Sequence, residues 1–200
     1  MGVDPRREHA PEVLSGRSSF PPVVRAFVAI EVDERTSPER PTVAPTHLTL
    51  RFFGELAAAT APLVVGALRA AALREMPFEM TLDGIGAFPS RAAPRVVWVG
   101  VTDGKAEVVR LANEISDALA TVGVAPDPPT FVPHVTLFRV RSPRDRHRAR
   151  GLLDGTVPTP APRRVRVTEF VLKESVLAPR GPIHRVVERF PLAGRRGAAG

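Results

Sequence analysis

The chain has 200 residues, of which 44% are hydrophobic, with no cysteine and a formal net charge of +7. This length and apolar content suffice for a buried core, as one domain or two small lobes, and the lack of cysteine excludes disulfides and thiolate metal sites. We expect a cytoplasmic protein, because the N-terminal segment lacks a signal-peptide apolar run and no stretch approaches the ~20 apolar residues of a membrane span.

The first part of the chain predicts two strands and a helix. Residues 23–32 (VVRAFVAIEV) form a β-rich run, whereas prolines within 33–46 prevent a long helix and predict a loop. A second strand is expected over 47–53 and should end at Gly54. The alanine and leucine content of residues 60–75 is typical of an amphipathic helix.

The middle of the chain predicts a strand pair and a second helix. Residues 78–88 and 95–101 have strand composition and are joined by a proline-containing turn over 89–94. Apolar residues recur at helical spacing over 105–122, and Gly123 is a suitable helix stop.

The last part of the chain predicts three strands and a third helix. A strand is expected over 131–140 and a short arginine-rich helix over 143–153. After a proline-rich connector, residues 165–176 and 183–190 each predict one strand.

Two of the five histidines stand in copies of one short pattern, HLTL at residues 47–50 and HVTL at residues 134–137. Successive side chains of a strand point to opposite faces, so each copy directs its histidine and threonine one way and its two apolar residues the other. The pattern therefore predicts one chemical face and one core face in each of the two strands.

The two copies stand at the start of the same series of elements: motif strand, helix, strand, strand. An internal duplication of this kind would place the two histidines at equivalent points of two lobes, facing each other across a shared groove.

A pair of histidines can supply both a base and an acid, because the unperturbed pKa of imidazole is about 6.5. For a strained phosphodiester, one neutral imidazole can take a proton from water while an imidazolium opposite protonates the departing ribose oxygen. Thr49 and Thr136 can donate hydrogen bonds to the non-bridging phosphate oxygens. This scheme needs no metal, and either histidine could be the base.

Other chemistries have less support. Two histidines make a poor zinc set when the chain has no cysteine and no carboxylate at helical metal-ligand spacing. No G-x-S-x-G elbow is present, and without cysteine a serine or cysteine nucleophile has no support. The Gly84-Ile85-Gly86 segment lacks the third glycine of a dinucleotide loop, and no Walker motif occurs. The remaining histidines are expected to be surface or structural residues: His9, His147 and His184.

The excess of basic over acidic residues lies in the second half of the chain. Such a surface attracts polyanions by releasing their counterions, which favours contact with RNA or phosphate over a merely solvated face. The arginines concerned are Arg139, Arg141, Arg144, Arg146, Arg148, Arg150, Arg163, Arg164 and Arg166.

Beyond the paired H-x-T-L, the chain contains RAFVAIE, GIGAFPSRAAPRVVWVGV, FVPHVTLFRV, EFVLKESVL and a closing RFPL. In their order and spacing, these segments resemble the two-histidine (2H) phosphoesterases, specifically the RNA 2′,3′-cyclic phosphodiesterases, also called 2′-5′ RNA ligases. The likeness runs from about Arg25 to Leu192.

The resemblance implies a bilobal α+β fold of two pseudo-symmetric lobes, with antiparallel sheets lining a central cleft and helices outside. It implies metal-independent hydrolysis of an RNA-terminal or nucleoside 2′,3′-cyclic phosphate to a 2′-phosphate, and reversal would join RNA ends through a 2′-5′ linkage without ATP. No cofactor or metal is implied, and we expect a monomer that does not bind membranes. The catalytic set implied by the family pattern is His47, Thr49, His134 and Thr136.

The family pattern also places Phe52 and Arg139 beside the substrate, Arg139 on phosphate and Phe52 packed on base or ribose. Strict alternation opposes this, because it puts Arg51 and Phe53 on the face of His47. Only a bend or bulge after each motif would bring Phe52 and Arg139 to the histidine face. Arg51 is therefore the alternative candidate for a substrate contact. Phe52 has a second interpretation, as an ordinary core residue.

The chain also departs from the family. Relatives usually have an amphipathic helix between the first strand and the first motif, where this chain has only the loop 33–46. The residue before the Pro-His of the second motif, often polar or basic in relatives, is Val132. We expect a mobile leader over 1–24, one bilobal domain over 25–192 and a disordered tail over 193–200. Two other functions stay open: hydrolysis of another small cyclic phosphate, and RNA-end binding without turnover.

Overall fold

The structure, a computed structural model, describes residues 23–32, 46–126, 130–178 and 181–194. The predicted leader up to residue 22, the predicted proline-containing loop up to residue 45, where the helix usual in relatives is not expected, and the predicted tail from residue 195 lie outside the described residues. The strands are β1 (Val23–Val32), β2 (Thr46–Ala57), β3 (Phe78–Phe88), β4 (Val96–Val101), β5 (His134–Arg139), β6 (Arg163–Val167), β7 (Glu169–Ala178) and β8 (Gly181–Pro191). The helices are α1 (Ala61–Arg74), α2 (Lys105–Ala120) and α3 (Pro143–Leu153).

The eight described strands form one antiparallel sheet in the order β6-β3-β4-β5-β2-β1-β7-β8. The boundary between β5 and β2 divides it into lobe one (β2, β1, β7, β8) and lobe two (β5, β4, β3, β6). Each motif strand is the innermost strand of its own lobe. The predicted bilobal α+β architecture is confirmed, and the two sheets are halves of one continuous sheet.

The helices cover one face of this sheet, because alternate strand residues and the apolar helix stripes bury each other. In β1 the residues from Val24 to Val32 alternate into the main core, which also contains the inner stripes of α1 and α2. In lobe two, Ala149 and Leu152 of α3 pack on Val97 of β4. The other face, here called the open face, carries no helix among the described residues.

Two predicted strand boundaries are wrong. Residues 165–176 do not form one strand. The strand is interrupted at Thr168, because β6 pairs with β3 at the edge of lobe two while β7 pairs with β1 in lobe one. The β-rich sequence is continuous across this position and gives no sign that the chain crosses from one lobe to the other. Strand β2 does not end at Gly54 but continues to Ala57, with Gly54 in a left-handed conformation beside a register shift.

The histidines lie at equivalent points of the two lobes, as predicted, yet the repeats are not the lobes, and the second motif strand and its helix are followed by three strands rather than two. Strands β3 and β4 follow the first motif and join lobe two. Of the strands after the second motif, β6 stays in lobe two, whereas β7 and β8 join lobe one. Each lobe is therefore built from both halves of the chain, and neither half can fold as a separate lobe.

Candidate active site

The two lobes meet where the two motif strands pair. Among the described residues, β2 and β5 are joined at one directly opposed position, Leu48 against Val135. Continued by one residue on each side, this antiparallel register puts His47 across from Thr136 and Thr49 across from His134. Diagonal neighbours in such a pair are about 7–8 Å apart. The two histidines are thus diagonal neighbours at the seam between the lobes.

The histidines and threonines of both motifs belong to the open face. Their neighbours Leu48 and Val135 are 0% and 2% exposed in the core on the helix-covered side. Alternation sends the flanking residues to the opposite side, where they are partly exposed. The motif residues found together on this face are His47, Thr49, His134 and Thr136.

In lobe one, His47 lies in a pocket of rings. Its ring centroid is 4.9 Å from that of Phe27 and 5.3 Å from that of His184, which meets it edge-on at 83°. Glu31 of β1 is directly opposite His47 in the strand register. The pocket is therefore aromatic around the ring, with a carboxylate on the neighbouring strand.

In lobe two, His134 lies against Phe88 and Trp98, with centroid separations of 5.0 and 5.8 Å. Its Nδ1 is 2.7 Å from the Val132 carbonyl oxygen. Because a carbonyl oxygen can only accept, Nδ1 donates, which leaves Nε2 as the nitrogen available for proton transfer. The exposed Val132 thus contributes to the site through its backbone carbonyl, which holds the His134 ring, rather than through its side chain.

A bulge follows each motif and changes which residues reach the open face. The register of β2 shifts between Thr49 and Arg51, and Phe52 is then opposite Phe27, with the two rings stacked 6.2 Å apart. In β5 the register shifts between Thr136 and Phe138, and Arg139 is opposite Val96. The structure therefore brings Phe52, which is 54% exposed, and the exposed Arg139 to the face of the histidines.

The same bulge removes Arg51 from that face, contrary to strict alternation. Arg51 is 7% exposed, and its Nη2 donates to the carbonyl of Ala125 in the segment after α2. Phe53 packs against the main core rather than beside His47. Strict alternation fails here because one extra residue is inserted after Thr49.

Charged side chains lie beneath the His47 pocket. Lys173 of β7 is 1% exposed and its Nζ is 2.8 Å from Glu31 Oε1. Arg189 of β8 reaches Glu31 Oε2 at 2.9 Å and also pairs with Glu169. Burial alone would raise the pKa of the Glu31 carboxyl, but the hydrogen bonds and charges of Lys173 and Arg189 lower that pKa overall.

His184 was expected to be a surface or structural residue, and the structure places it against His47. Burial and the nearby charge of Lys173 lower its pKa. Sequence reasoning missed His184, Lys173 and the ring partners Phe27, Phe88 and Trp98. The available signals were a lone lysine within the apolar run EFVLKESVL and a histidine in a predicted strand, and neither is specific.

The described residues contain no group of three or more histidine, cysteine, aspartate or glutamate side chains placed to hold a metal ion. None of the described helices has the length and apolar content to cross a membrane.

The sequence model of the 2′-5′ RNA ligase superfamily matches residues 20–175. The chain belongs to that superfamily. Among relatives, the RNA 2′,3′-cyclic phosphodiesterase of Aquifex aeolicus (strain VF5) is 35% identical over 86% of this chain and 99% of its own length. The RNA 2′,3′-cyclic phosphodiesterase of Aeropyrum pernix is 38% identical over 70% of this chain and 78% of its own length.

Solved structures share this fold. Escherichia coli LigT complexed with 3′-AMP superposes with a TM-score of 0.63 at 28% identity, over 85% of this chain and 98% of that protein. The protein TT0787 of Thermus thermophilus gives a TM-score of 0.66 at 27% identity, over 86% of this chain and 100% of that protein. The 2H phosphoesterase fold inferred from the sequence is confirmed.

Proposed function

We propose that this 2′-5′ RNA ligase superfamily member hydrolyses the 2′,3′-cyclic phosphate of an RNA end or a nucleoside to a 2′-phosphate, without a metal ion. The observation that carries the proposal is the pairing of Leu48 with Val135, which sets both H-x-T motifs on one partly exposed face. The relatives that cover most of the chain are RNA 2′,3′-cyclic phosphodiesterases, which supports the same substrate class.

The reaction needs one proton removed and one delivered. One imidazole takes a proton from the attacking water as its oxygen bonds to phosphorus, and the bond from phosphorus to the 3′ oxygen breaks. The other imidazole, entering protonated, gives its proton to that 3′ oxygen. The product carries a 2′-phosphate and a free 3′ hydroxyl, and the two histidines have exchanged protonation states.

The remaining site residues have roles that follow from their position on the open face. Thr49 and Thr136 lie at the seam and donate hydroxyl hydrogen bonds to the non-bridging phosphate oxygens. Arg139 adds a charge-assisted contact to phosphate. The exposed ring of Phe52, stacked on Phe27, offers an apolar surface to the base or ribose.

The same site supports 2′-5′ ligation of RNA ends. If the 5′ hydroxyl of a second RNA end replaces water, its oxygen bonds to phosphorus and the 3′ oxygen leaves, giving a 2′-5′ linkage. The cyclic phosphate supplies the strain, so no ATP is required.

The deciding experiment uses an oligonucleotide ending in a 2′,3′-cyclic phosphate, incubated with the protein in EDTA. We expect a 2′-phosphate product, separated from the 3′-phosphate isomer by chromatography. Binding without conversion would instead support the RNA-end-binding module. Turnover restricted to another small cyclic phosphate would support the second alternative.

His47→Ala and His134→Ala should each reduce kcat by about 100- to 10,000-fold, because each removes one proton-transfer step. Both side chains are partly exposed, so we expect circular dichroism and melting temperature to stay near those of the unmodified protein. His147→Ala is the matched control, since His147 is exposed on α3. Near-normal rates in either motif variant would refute the two-histidine mechanism.

A further inference from the structure

A third histidine is built into the His47 pocket, and the mechanism above does not use it. The rings of Phe27, His47 and His184 are mutually in contact, with centroids 4.9, 4.9 and 5.3 Å apart. His184 meets both other rings edge-on, at 83°. Edge-to-face packing at this distance fixes the relative orientation of rings.

The contact between His184 and His47 depends on the curvature of lobe one. Their strands, β8 and β2, are three strand spacings apart in the sheet, which is about 14 Å in a flat sheet. A centroid separation of 5.3 Å therefore requires the sheet to curl over the open face. Ion pairing supports this curl, because Arg189 on β8 reaches Glu31 on β1 across the intervening strand.

The surroundings of His184 favour its uncharged form. Its Nδ1 is buried and has no hydrogen-bond partner within the described part of the chain, so protonation would leave a buried N–H without an acceptor. The groups near it are Ser175, its register partner on β7, the charged Lys173 on the same strand, and His47 of β2. Glu31 of β1, opposite His47, is ion-paired with Lys173 and Arg189.

We propose that His184 is a positioning residue for His47: its uncharged ring, held edge-on against Phe27 and His47, fixes the orientation of the catalytic imidazole. This inference rests on the proposed function, since it assigns His184 to the same site. Burial and the charge of Lys173, which lower the pKa of His184, keep the ring uncharged at neutral pH. A misoriented imidazole would still allow substrate to bind but would transfer protons poorly.

The kinetic test compares His184→Ala, which removes the ring, with His184→Phe, which keeps the ring and removes its titration. For His184→Ala we expect kcat on a cyclic-phosphate oligonucleotide to fall about 10- to 100-fold, with KM changed less than about twofold. His184→Phe should restore kcat to within about threefold of the unmodified protein. The matched control is Ile183→Ala, because Ile183 is exposed and alternates to the opposite face of the same strand.

A second readout does not depend on activity. Because His184 has a lowered pKa when folded and about 6.5 when unfolded, unfolded chains bind more protons as the pH falls below about 6.5, and stability is lost there. The melting temperature should therefore fall more steeply from pH 7 to pH 5 in the unmodified protein than in His184→Phe. The imidazole NMR signals of His47 should also change in His184→Ala and return toward their original positions in His184→Phe.

Specific results would overturn the proposal. A His184→Ala variant with unchanged kcat and unchanged His47 signals would show that the ring contact positions nothing. A His184→Phe variant as slow as His184→Ala would show that ring packing is not the property required. If the unmodified protein does not convert the oligonucleotide, the proposed function fails, whereas the melting and NMR measurements still test the His184 contact.

Discussion

Which residues share the open face with the two histidines depends on alternation near each motif and on a single inserted residue after it. Thr49 and Thr136 follow their histidines by an even offset and share a face by alternation alone. Phe52 and Arg139 follow by an odd offset and reach the same face only through a bulge in each strand. The sequence indicated that such bulges were needed, but which strand positions would accommodate them depended on the partner strands.

Arg139→Ala should lower kcat/KM on a cyclic-phosphate oligonucleotide by about 10- to 100-fold, the equivalent of one charge-assisted hydrogen bond. Arg139→Lys should retain part of this activity, because lysine keeps the charge but not the planar two-pronged donor. Arg144→Ala is the control, since Arg144 lies exposed on α3 at the helix-covered face. Equal losses in the Arg139→Ala and Arg144→Ala variants would mean that only net charge matters.

Among the elements, the β3–β4 hairpin builds the His134 pocket. Gly86 lies directly opposite Trp98, and a Cβ at Gly86 would overlap the Trp98 indole. Trp98 in turn contacts both Phe88 and His134. The glycine thus lets the indole lie flat across the neighbouring strand and close one side of the His134 ring.

Gly86→Ala should therefore displace Trp98, change its fluorescence and reduce kcat, because the indole no longer packs against His134. Gly66→Ala is the matched control: Gly66 lies within α1 with open space around it, and we expect a gain of about 0.5–1 kcal/mol in stability with unchanged kcat. A Gly86→Ala protein with unchanged fluorescence and kcat would contradict this role of the hairpin.

Helix α3 shows how much local signals can determine. Its predicted range, 143–153, matches Pro143–Leu153 because Ser142 and Asp145 form a capping box and Pro143 occupies the first helical position. The β6–β7 break at Thr168 had no comparable local signal. It exists because neighbouring residues pair with strands in different lobes.

At the scale of the whole molecule, the basic residues of the second half divide between two faces. The arginines of α3 lie on the helix-covered side, away from the histidines, and Arg148 is stacked on Phe138 there. On edge strand β6, Arg164 and Arg166 alternate to the open face, opposite Thr81 and Glu79 of β3. Three strand spacings, about 14 Å, separate this edge from the motif strand β5.

If the RNA strand crosses the open face of lobe two, Arg164→Ala/Arg166→Ala should weaken binding of an oligonucleotide but not of a nucleoside 2′,3′-cyclic phosphate. The salt dependence of binding should fall by about 0.7 in log–log slope for each phosphate that the variant no longer neutralises. The control removes the same charge from the other face, in Arg144→Ala/Arg146→Ala. Equal effects of the two double variants would indicate unspecific electrostatic attraction. Because Arg166 forms a weak ion pair with Glu79, at 3.7 Å, we expect Arg164 to contribute more to oligonucleotide binding.

The sequence by itself determined the two motif strands, the three helices and the pairing of histidine with threonine, because these depend on alternation and helical periodicity within a few residues. Through the family resemblance it also supplied the bilobal α+β class and the residues Phe52 and Arg139. Only the tertiary structure decided that Arg51 turns into the core, that β3 and β4 join the lobe of the second motif, and that β7 and β8 join the lobe of the first. It also decided that His184 reaches His47, since that contact depends on the curl of lobe one and on ion pairs between residues far apart in the chain, which no local pattern records.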